Sequence, residues 1–303
     1  AQPPITVAGP ALKVLVVEDV ALNREVVQGL LQRDGHQVWL AEEAEQALAQ
    51  CAVQRFDLIL LDVEMPGKNG YEVCLALKND PLLCDSAVIF VTSHQSMEHE
   101  VRALEVGAVD FISKPLNPPI VRARVRTHLT LKQQSDKLRR LANRDGMTGV
   151  YNRRHWELLL RNEFDNCRRH QRDATLLIID IDHFKSINDT WGHDVGDQAI
   201  VALTRQLQMT LRGSDVIGRF GGDEFAVIMS GTTSESAIAA MSRVHERLET
   251  LSLPCAPKEA LRISVGVAPW GPQFAHYREW LKAADVALYR AKNAGRSRTE
   301  VAA

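Results

Sequence analysis

The sequence predicts an α/β chain of two domains, a doubly wound parallel sheet of five strands followed by a ferredoxin-like α+β domain. Three observations predict it. The 303 residues are about twice the length of a typical domain. From Lys13 to about residue 118, short continuous apolar runs alternate with amphipathic stretches, the pattern of a parallel sheet covered on both faces. Beyond Asp145 the order becomes strand, helix, hairpin, helix, strand, which is the ferredoxin-like order.

The first domain reads as five strands: KVLVV (13–17), HQVWL (36–40), FDLILL (56–61), AVIFVT (87–92) and VDFIS (109–113). Helix-like segments lie near 22–33, 43–52, 70–78 and 98–106. Asn117-Pro118-Pro119 then permits a helix start, because proline is tolerated in a first turn. From Ile120 to Asn143 there is no Gly or Pro, and seven Lys/Arg face Asp136 alone, so one basic connecting helix is expected. Leu131, Leu138 and Leu141 follow a-a-d spacing with Gln134 at the intervening d position. That two-turn seam falls short of the three heptads a coiled coil wants, and leaves both a solvated connector and a dimer-forming helix open. The expected organisation is 12–119, a connecting helix over 120–144, and a second domain over 145–298.

The second domain opens with a long helix near 152–172, followed by the strand TLLII (175–179) and an amphipathic helix near 195–211. DVIGRF (215–220) and FAVIM (225–229) flank a Gly-Gly turn, a hairpin signature. A helix near 234–250, the strand RISVGVA (262–268) and a last helix near 277–294 complete it.

Hydrophobic residues make up 45% and charged residues 24%, an ordinary globular balance. A formal charge of −2 removes the electrostatic argument for a nucleic-acid or membrane partner. No apolar run approaches the ~20 residues that span a bilayer, and AQPPITVAGP does not read as a signal peptide. Five scattered cysteines (51, 74, 84, 167, 255) without a CxxC pair read as thiols in a reducing cytoplasm. His94/His99 and His183/His193 lack metal-ligand spacing with supporting partners, and read as surface or packing residues.

In the first domain the chemistry collects at strand ends. Glu18-Asp19 follow strand one, Asp62 follows strand three, Thr92 ends strand four and Lys114 follows strand five. In a sheet of order 2-1-3-4-5, strands one and three are neighbours whose carboxyl ends open onto one crevice. Three carboxylates there repel one another unless a cation joins them, and oxygen ligands with open water positions favour Mg²⁺. A hydroxyl and an ammonium on the same rim suit an incoming phosphoryl group.

VVED (16–19), DVEMPGKNG (62–70), VTS (91–93) and DFISKP (110–115) resemble the receiver domain of two-component response regulators, which is flavodoxin-like. The resemblance, over 12–130, implies phosphorylation of Asp62 by a histidine kinase, with one Mg²⁺ on Glu18, Asp19, Asp62 and the Glu64 carbonyl. It also implies a conformational switch through Thr92 and Phe111, with Lys114, before a cis Pro115, on the phosphate.

In the second domain a ferredoxin-like order sets strand one beside strand three. That brings Asp180 next to Gly221-Gly222-Asp223-Glu224 at the hairpin tip. Paired carboxylates from adjacent strands suit a divalent-metal nucleotide site, and two glycines clear room for a phosphate or ring. Lys292 and Arg296, four apart on the last helix, project from one face and suit phosphates.

DGMTGVYNRR (145–154), DIDHFKSINDTWGHDVGD (180–197), RFGGDEF (219–225), SVGVA (264–268) and ADVALYRAKNAGR (284–296) resemble the GGDEF-domain diguanylate cyclases. That family condenses two GTP into cyclic di-GMP and two pyrophosphates. One GTP sits on each domain, so a homodimer is implied. By position, Asp180 and Asp223 would ligate two Mg²⁺ or Mn²⁺ with the Ile181 carbonyl assisting, and Glu224 would be a base or a further ligand. Asn188 and Asp197 would read guanine, whose N1–H and exocyclic amine are donors, while adenine has no donor at N1. Lys292 and Arg296 would hold the β and γ phosphates, and Lys185 would stabilise the transferring phosphoryl group. Arg212-Gly-Ser-Asp215, with five residues between it and Gly221, resembles the family's RxxD inhibitory product site, with Arg243 as a secondary contributor. The leading expectation is a phosphorylation-regulated diguanylate cyclase with product inhibition. The alternative is a catalytically inactive cyclic di-GMP-binding signalling module, against which the intact Asp180, Asp223, Glu224, Lys292 and Arg296 argue.

Overall fold

Five short apolar strands build the first sheet: β1 (Lys13–Val17), β2 (Gln37–Ala41), β3 (Leu58–Asp62), β4 (Ala87–Thr92) and β5 (Asp110–Ser113). They pair in parallel in the order β2-β1-β3-β4-β5. The computed structural model describes residues 11–80, 83–93, 97–251 and 261–302, and from residue 97 to 100 the backbone only. The chain divides into two compact units, residues 1–138 and 139–303.

In the first unit the connections are helical: α1 (Ala21–Arg33), α2 (Ala44–Val53), α3 (Gly70–Asn79), α4 (Met97–Glu105) and α5 (Pro118–Asn143). β1, β3 and β4 are apolar on both faces because two cores flank the sheet. One core gathers Leu15, Ile59, Leu61, Phe90, Cys74 and Leu77. The other gathers Val14, Val16, Leu60, Ile89 and, from α5, Val121, Val125 and Leu129. Beyond Leu129 the apolar residues of α5 turn outward: Leu131, Leu138 and Leu141 are all more than half exposed.

The second unit adds β6 (Tyr151–Asn152), α6 (Arg153–His170), β7 (Ala174–Ile181), α7 (Phe184–Trp191), α8 (His193–Thr210), β8 (Val216–Gly221) and β9 (Glu224–Ser230). α9 (Ser234–Glu249), β10 (Ile263–Pro269), α10 (Tyr277–Asn293) and β11 (Thr299–Val301) follow. The sheet order is β11-β10-β7-β9-β8-β6, with the expected four-stranded antiparallel arrangement at its centre. One face packs on α8 and α9 through Leu203, Leu207, Met241 and Val244. The other packs on α6 and α10 through Trp156, Leu160, Phe164, Trp280, Ala284 and Leu288. Both buried indoles are hydrogen-bonded: Trp156 Nε1 donates to the Val216 carbonyl at 3.2 Å and Trp280 Nε1 to the Ala268 carbonyl at 2.9 Å.

The doubly wound and ferredoxin-like fold classes are both as expected, and the differences lie at element ends and in three short elements, α7, β6 and β11. β2 and β3 begin one and two residues later than the apolar runs suggest, because pairing, not hydropathy, sets strand ends. Asp62 pairs with Val91 and Asp180 with Glu224, so each acid lies inside its strand rather than after it. α5 starts at Pro118, with both prolines in its first turn. The segment before the expected 195–211 helix is itself the helix α7, broken from α8 at Gly192, whose φ is 85°. The short flanking strands β6 and β11 carry too little pattern to be read from sequence. The Lys114–Pro115 bond is cis. His94, Cys255 and the His99 side chain lie outside the described residues; the other four cysteines are free.

Candidate functional sites

At the carboxyl edge of the first sheet, Glu18, Asp19 and Asp62 bring carboxylate oxygens within 4.8 Å of one another. Among the described residues this is the one such group of three or more acids, histidines or cysteines. Asp62 is fully buried and Glu18 nearly so. Lys114 Nζ reaches both, at 2.5 Å from Asp62 Oδ2 and 3.0 Å from Glu18 Oε1. Burial pushes the Asp62 carboxyl above its ordinary range, the Lys114 hydrogen bond opposes this, and the nearby Glu18 charge adds to it. Burial works against the Lys114 ammonium, yet its bonds to Asp62 and Glu18 outweigh that and hold it above the usual lysine value.

The β1–α1 loop is fixed by groups sequence reading missed. Arg24 Nη1 donates to the Glu18 carbonyl at 2.6 Å and the Asp19 carbonyl at 3.0 Å, and Nη2 pairs with Glu42 at 2.7 Å. Asn23 Nδ2 donates to Glu18 Oε1 at 2.9 Å. The Glu64 N–H donates to Asp62 Oδ1 at 3.0 Å. Thr92 is buried at the end of β4, and Phe111 is half-buried on β5. Three oxygen ligands in one crevice fit a hard divalent cation.

In the second unit the antiparallel register of β7 and β9 sets Asp180 opposite Glu224. Asp223 occupies the turn between β8 and β9, where its carbonyl accepts from the Ile181 N–H at 3.3 Å. From α10, Lys292 Nζ reaches Asp180 Oδ2 at 2.8 Å. Burial raises the Asp180 pKa, Lys292 pulls it down, and the charges of Asp223 and Asp182 push it up. Glu224 is also raised, first by burial and then by the charges of Asp180 and Asp285, against Lys292 and Arg153. Acids that repel across a turn and share one lysine fit a cation site, although their ligand atoms converge less tightly than those of the first unit.

Gly222 has φ of 53° and Gly221 of 144°, so the tip needs glycine. Arg219 pins it: Nε and Nη2 donate to the Gly222 carbonyl at 3.0 and 2.8 Å, while Nη1 pairs with Asp145 at 3.1 Å. Asp145 also accepts from the Thr148 N–H and hydroxyl at 2.9 and 2.6 Å. RFGGDEF and DGMTG are thus one bonded unit, which their 74-residue separation hides in the sequence.

Asn188 lies on α7 with its Oδ1 buried and without a hydrogen-bond partner. That oxygen points at α8, where a Cβ on Gly196 would come within 1.9 Å of it; the next residue is the exposed Asp197. Lys185 is exposed near the start of α7. Arg296 is exposed too, but α10 ends at Asn293 and Arg296 has a φ of 62°, so it lies in the turn beyond the helix and does not share a helical face with Lys292 as their spacing of four suggests. Farther along, the Arg212 N–H donates to Asp215 Oδ2 at 2.8 Å, and Asp215 Oδ1 is buried and unpartnered. Burial raises the Asp215 pKa against the Arg212 backbone bond and charge. The Arg212 side chain is exposed, as is Arg243 on α9.

Comparison with known proteins matches these two halves separately. The family model described as "Response regulator receiver domain" matches residues 14–126, and "Diguanylate cyclase, GGDEF domain" matches 142–298. The chain is 77% identical over 177 residues to "Probable diguanylate cyclase DgcC" of Escherichia coli K12, covering 58% of this chain and 48% of that protein. It is 30% identical to "Response regulator PleD" of Caulobacter vibrioides over 94% of this chain and 64% of that protein. The chain therefore spans about half to two thirds of the length of these relatives. Among solved structures, the coiled coil and GGDEF domain of DgcB from Caulobacter crescentus, in complex with c-di-GMP, aligns with a TM-score of 0.55 at 27% identity. It covers 60% of this chain and 99% of that one. The diguanylate cyclase SiaD from Pseudomonas aeruginosa, in complex with its activator SiaC, aligns with a TM-score of 0.52 at 30% identity, covering 68% and 74%.

Proposed function

Because this chain belongs to the GGDEF-domain diguanylate cyclase family and carries a response regulator receiver domain, we propose that it is a phosphorylation-regulated diguanylate cyclase. It joins two GTP into cyclic di-GMP, releasing two pyrophosphates. One observation carries the reading. Asp180, Glu224 and Lys292, from three motifs far apart in sequence, meet at one sheet edge through the β7–β9 register and the 2.8 Å Lys292–Asp180 contact.

In each of the two bond-forming steps, a 3′-hydroxyl of one GTP attacks the α-phosphorus of the other, and the α–β anhydride bond breaks. Asp180 and Asp223, with the Ile181 carbonyl, hold Mg²⁺ or Mn²⁺, whose chemistry is to acidify the hydroxyl and neutralise the triphosphate. Glu224, raised in pKa, accepts the hydroxyl proton or adds a ligand. Lys292 and Arg296 bind the outer phosphates, and with GTP present Lys292 exchanges its Asp180 contact for them. Lys185 stabilises the transferring group. The unpartnered Asn188 Oδ1 accepts from the guanine amine, and Asp197 from the N1–H edge. Gly221 and Gly222 leave room for the phosphates.

Each domain supplies one half-site, so a homodimer is required, and the exposed Leu131, Leu138 and Leu141 of α5 supply an apolar seam for it. In the receiver domain a histidine kinase phosphorylates Asp62. Glu18, Asp19, Asp62 and the Glu64 carbonyl hold one Mg²⁺, while Lys114 and Thr92 follow the phosphoryl oxygens and Phe111 follows Thr92. Cyclic di-GMP binds Arg212 and Asp215, with Arg243 contributing, and inhibits. Free thiols and a nucleotide triphosphate substrate suit the cytoplasm; among the described residues no helix is long and apolar enough to cross a membrane. Incubating the chain with GTP and Mg²⁺ tests the reading: one cyclic di-GMP per two pyrophosphates supports it. GTP left intact, with cyclic di-GMP still bound, would favour the inactive signalling module.

A further inference from the structure

We propose that Asp182 is a positioning residue whose buried carboxylate clamps the turn bearing Arg296 to the strand bearing Asp180, and thereby sets affinity for the phosphates of GTP. The inference rests on Arg296 being a phosphate ligand, as read above.

Asp182 follows β7 directly and is 5% exposed. Its two oxygens serve different elements. Oδ1 accepts from the Ser264 hydroxyl of β10 at 2.6 Å, and Oδ2 accepts from the Ser297 N–H after α10 at 2.8 Å. Its own N–H donates to the Arg262 carbonyl at 2.9 Å. Ser264 is fully buried and stands opposite Asp180 in the β7–β10 register. The carboxylate therefore joins β7, β10 and the turn after α10 at a single point.

That turn has reason to need holding. Gly295, Arg296 and Ser297 have φ of 111°, 62° and 46°, three consecutive residues in a region that side-chain-bearing residues rarely adopt. Such backbone persists where its surroundings over-determine it. The Arg296 N–H bonds the Ala291 carbonyl at 3.0 Å, and the Arg298 carbonyl accepts from the Val265 N–H at 2.9 Å. Between those two anchors, Asp182 takes the Ser297 N–H. A buried carboxylate is costly unless its oxygens are hydrogen-bonded. Here both are given to the clamp, which fixes the backbone of the turn that carries the exposed Arg296 side chain.

The test measures binding of α,β-methylene GTP, whose α–β bond cannot break, and of GMP, which lacks the outer phosphates, to the full chain with Mg²⁺. Asp182→Ala should weaken the triphosphate analogue about tenfold and GMP by less than about twofold. Asp182→Asn, which still offers an acceptor to Ser297 and a hydrogen bond to Ser264, should restore most of the loss. In an Arg296→Ala background, Asp182→Ala should add less than about twofold, because both act through one contact. Should Asp182→Ala fail to fold, Ser264→Ala carries the same comparison with a loss of about threefold. If Arg296→Ala weakens the analogue while Asp182→Ala and Ser264→Ala do not, or if they weaken GMP equally, the clamp is overturned and the phosphate site stands. If Arg296→Ala itself changes nothing, the phosphate reading falls and the clamp with it.

Discussion

Gly266→Ala should move the proposed nucleotide site without touching one of its proposed ligands. Gly266 sits in β10 where α10 crosses closest, and a Cβ there would lie 2.1 Å from the Ala284 carbonyl oxygen and 2.2 Å from the Leu288 nitrogen. Both obstacles are helix backbone, which cannot rotate aside as a side chain would, so α10 must retreat by roughly an ångström to reach ordinary contact. Overpacking of this kind costs about 1–3 kcal/mol. For a unit of this size that corresponds to a fall in Tm of about 2–12 °C. Lys292 lies in the last turn of the displaced helix and Arg296 in the turn just beyond it, and misplacement by about 1 Å can cost on the order of a hundredfold in rate. The assay is thermal unfolding together with KM for GTP and kcat on the same preparations. A drop in Tm with a raised KM is expected. Wild-type Tm and KM in Gly266→Ala would refute the claim that close α10–β10 packing sets the phosphate ligands.

Asp223→Ala and Glu224→Ala should each lower cyclic di-GMP synthesis on the order of a hundredfold or more. Thermal unfolding should show stability within about 1 kcal/mol of wild type, since both side chains are only half-buried, Asp223 in the hairpin turn and Glu224 at the start of β9. Arg212→Ala should weaken inhibition by added cyclic di-GMP about tenfold, read as an inhibition constant, with the initial rate unchanged. Asp110 gives a pH test. Burial works to raise its carboxyl, but hydrogen bonds from Arg124, His128 and the Phe111 N–H, with the Arg124 charge, hold it below its ordinary 3.8. A depressed folded pKa stabilises at pH above 3.8 and is lost as pH falls through the lower folded value. Denaturant melts should therefore show an advantage of wild type over Asp110→Asn at neutral pH that shrinks below that point.

Apolar periodicity made the parallel sheet legible because continuous Val/Ile/Leu runs follow from burial on two faces, as in β1, β3 and β4. It missed β6 and β11, where two or three residues pair at a sheet edge and hydropathy carries no signal. Strand order brought Asp180 to the hairpin tip, since a ferredoxin-like topology fixes which strands are neighbours. The supporting residues stayed hidden for a different reason. Arg219 reaches Asp145 across 74 residues, and Asp182 reaches Ser264 across 82 and Ser297 across 115. Those partners are chosen by tertiary geometry, which spacing along the chain does not encode. A faint signal existed at Asp182, since acids two apart on a strand share a face with each other. The Lys292–Asp180 pair is not legible either, because nothing in the spacing of a helix lysine and a strand acid 112 residues apart marks them as partners.

Turnover with and without beryllofluoride, measured at several protein concentrations alongside light scattering, tests the central claim most directly. In wild type, the phosphoryl mimic with Mg²⁺ should bind at Asp62, raise cyclic di-GMP synthesis from GTP several-fold and shift dimer affinity or dimer geometry. Asp62→Ala should keep basal turnover and lose that response. Equal activity with and without the mimic, across a range where dimer content is known, would contradict the account.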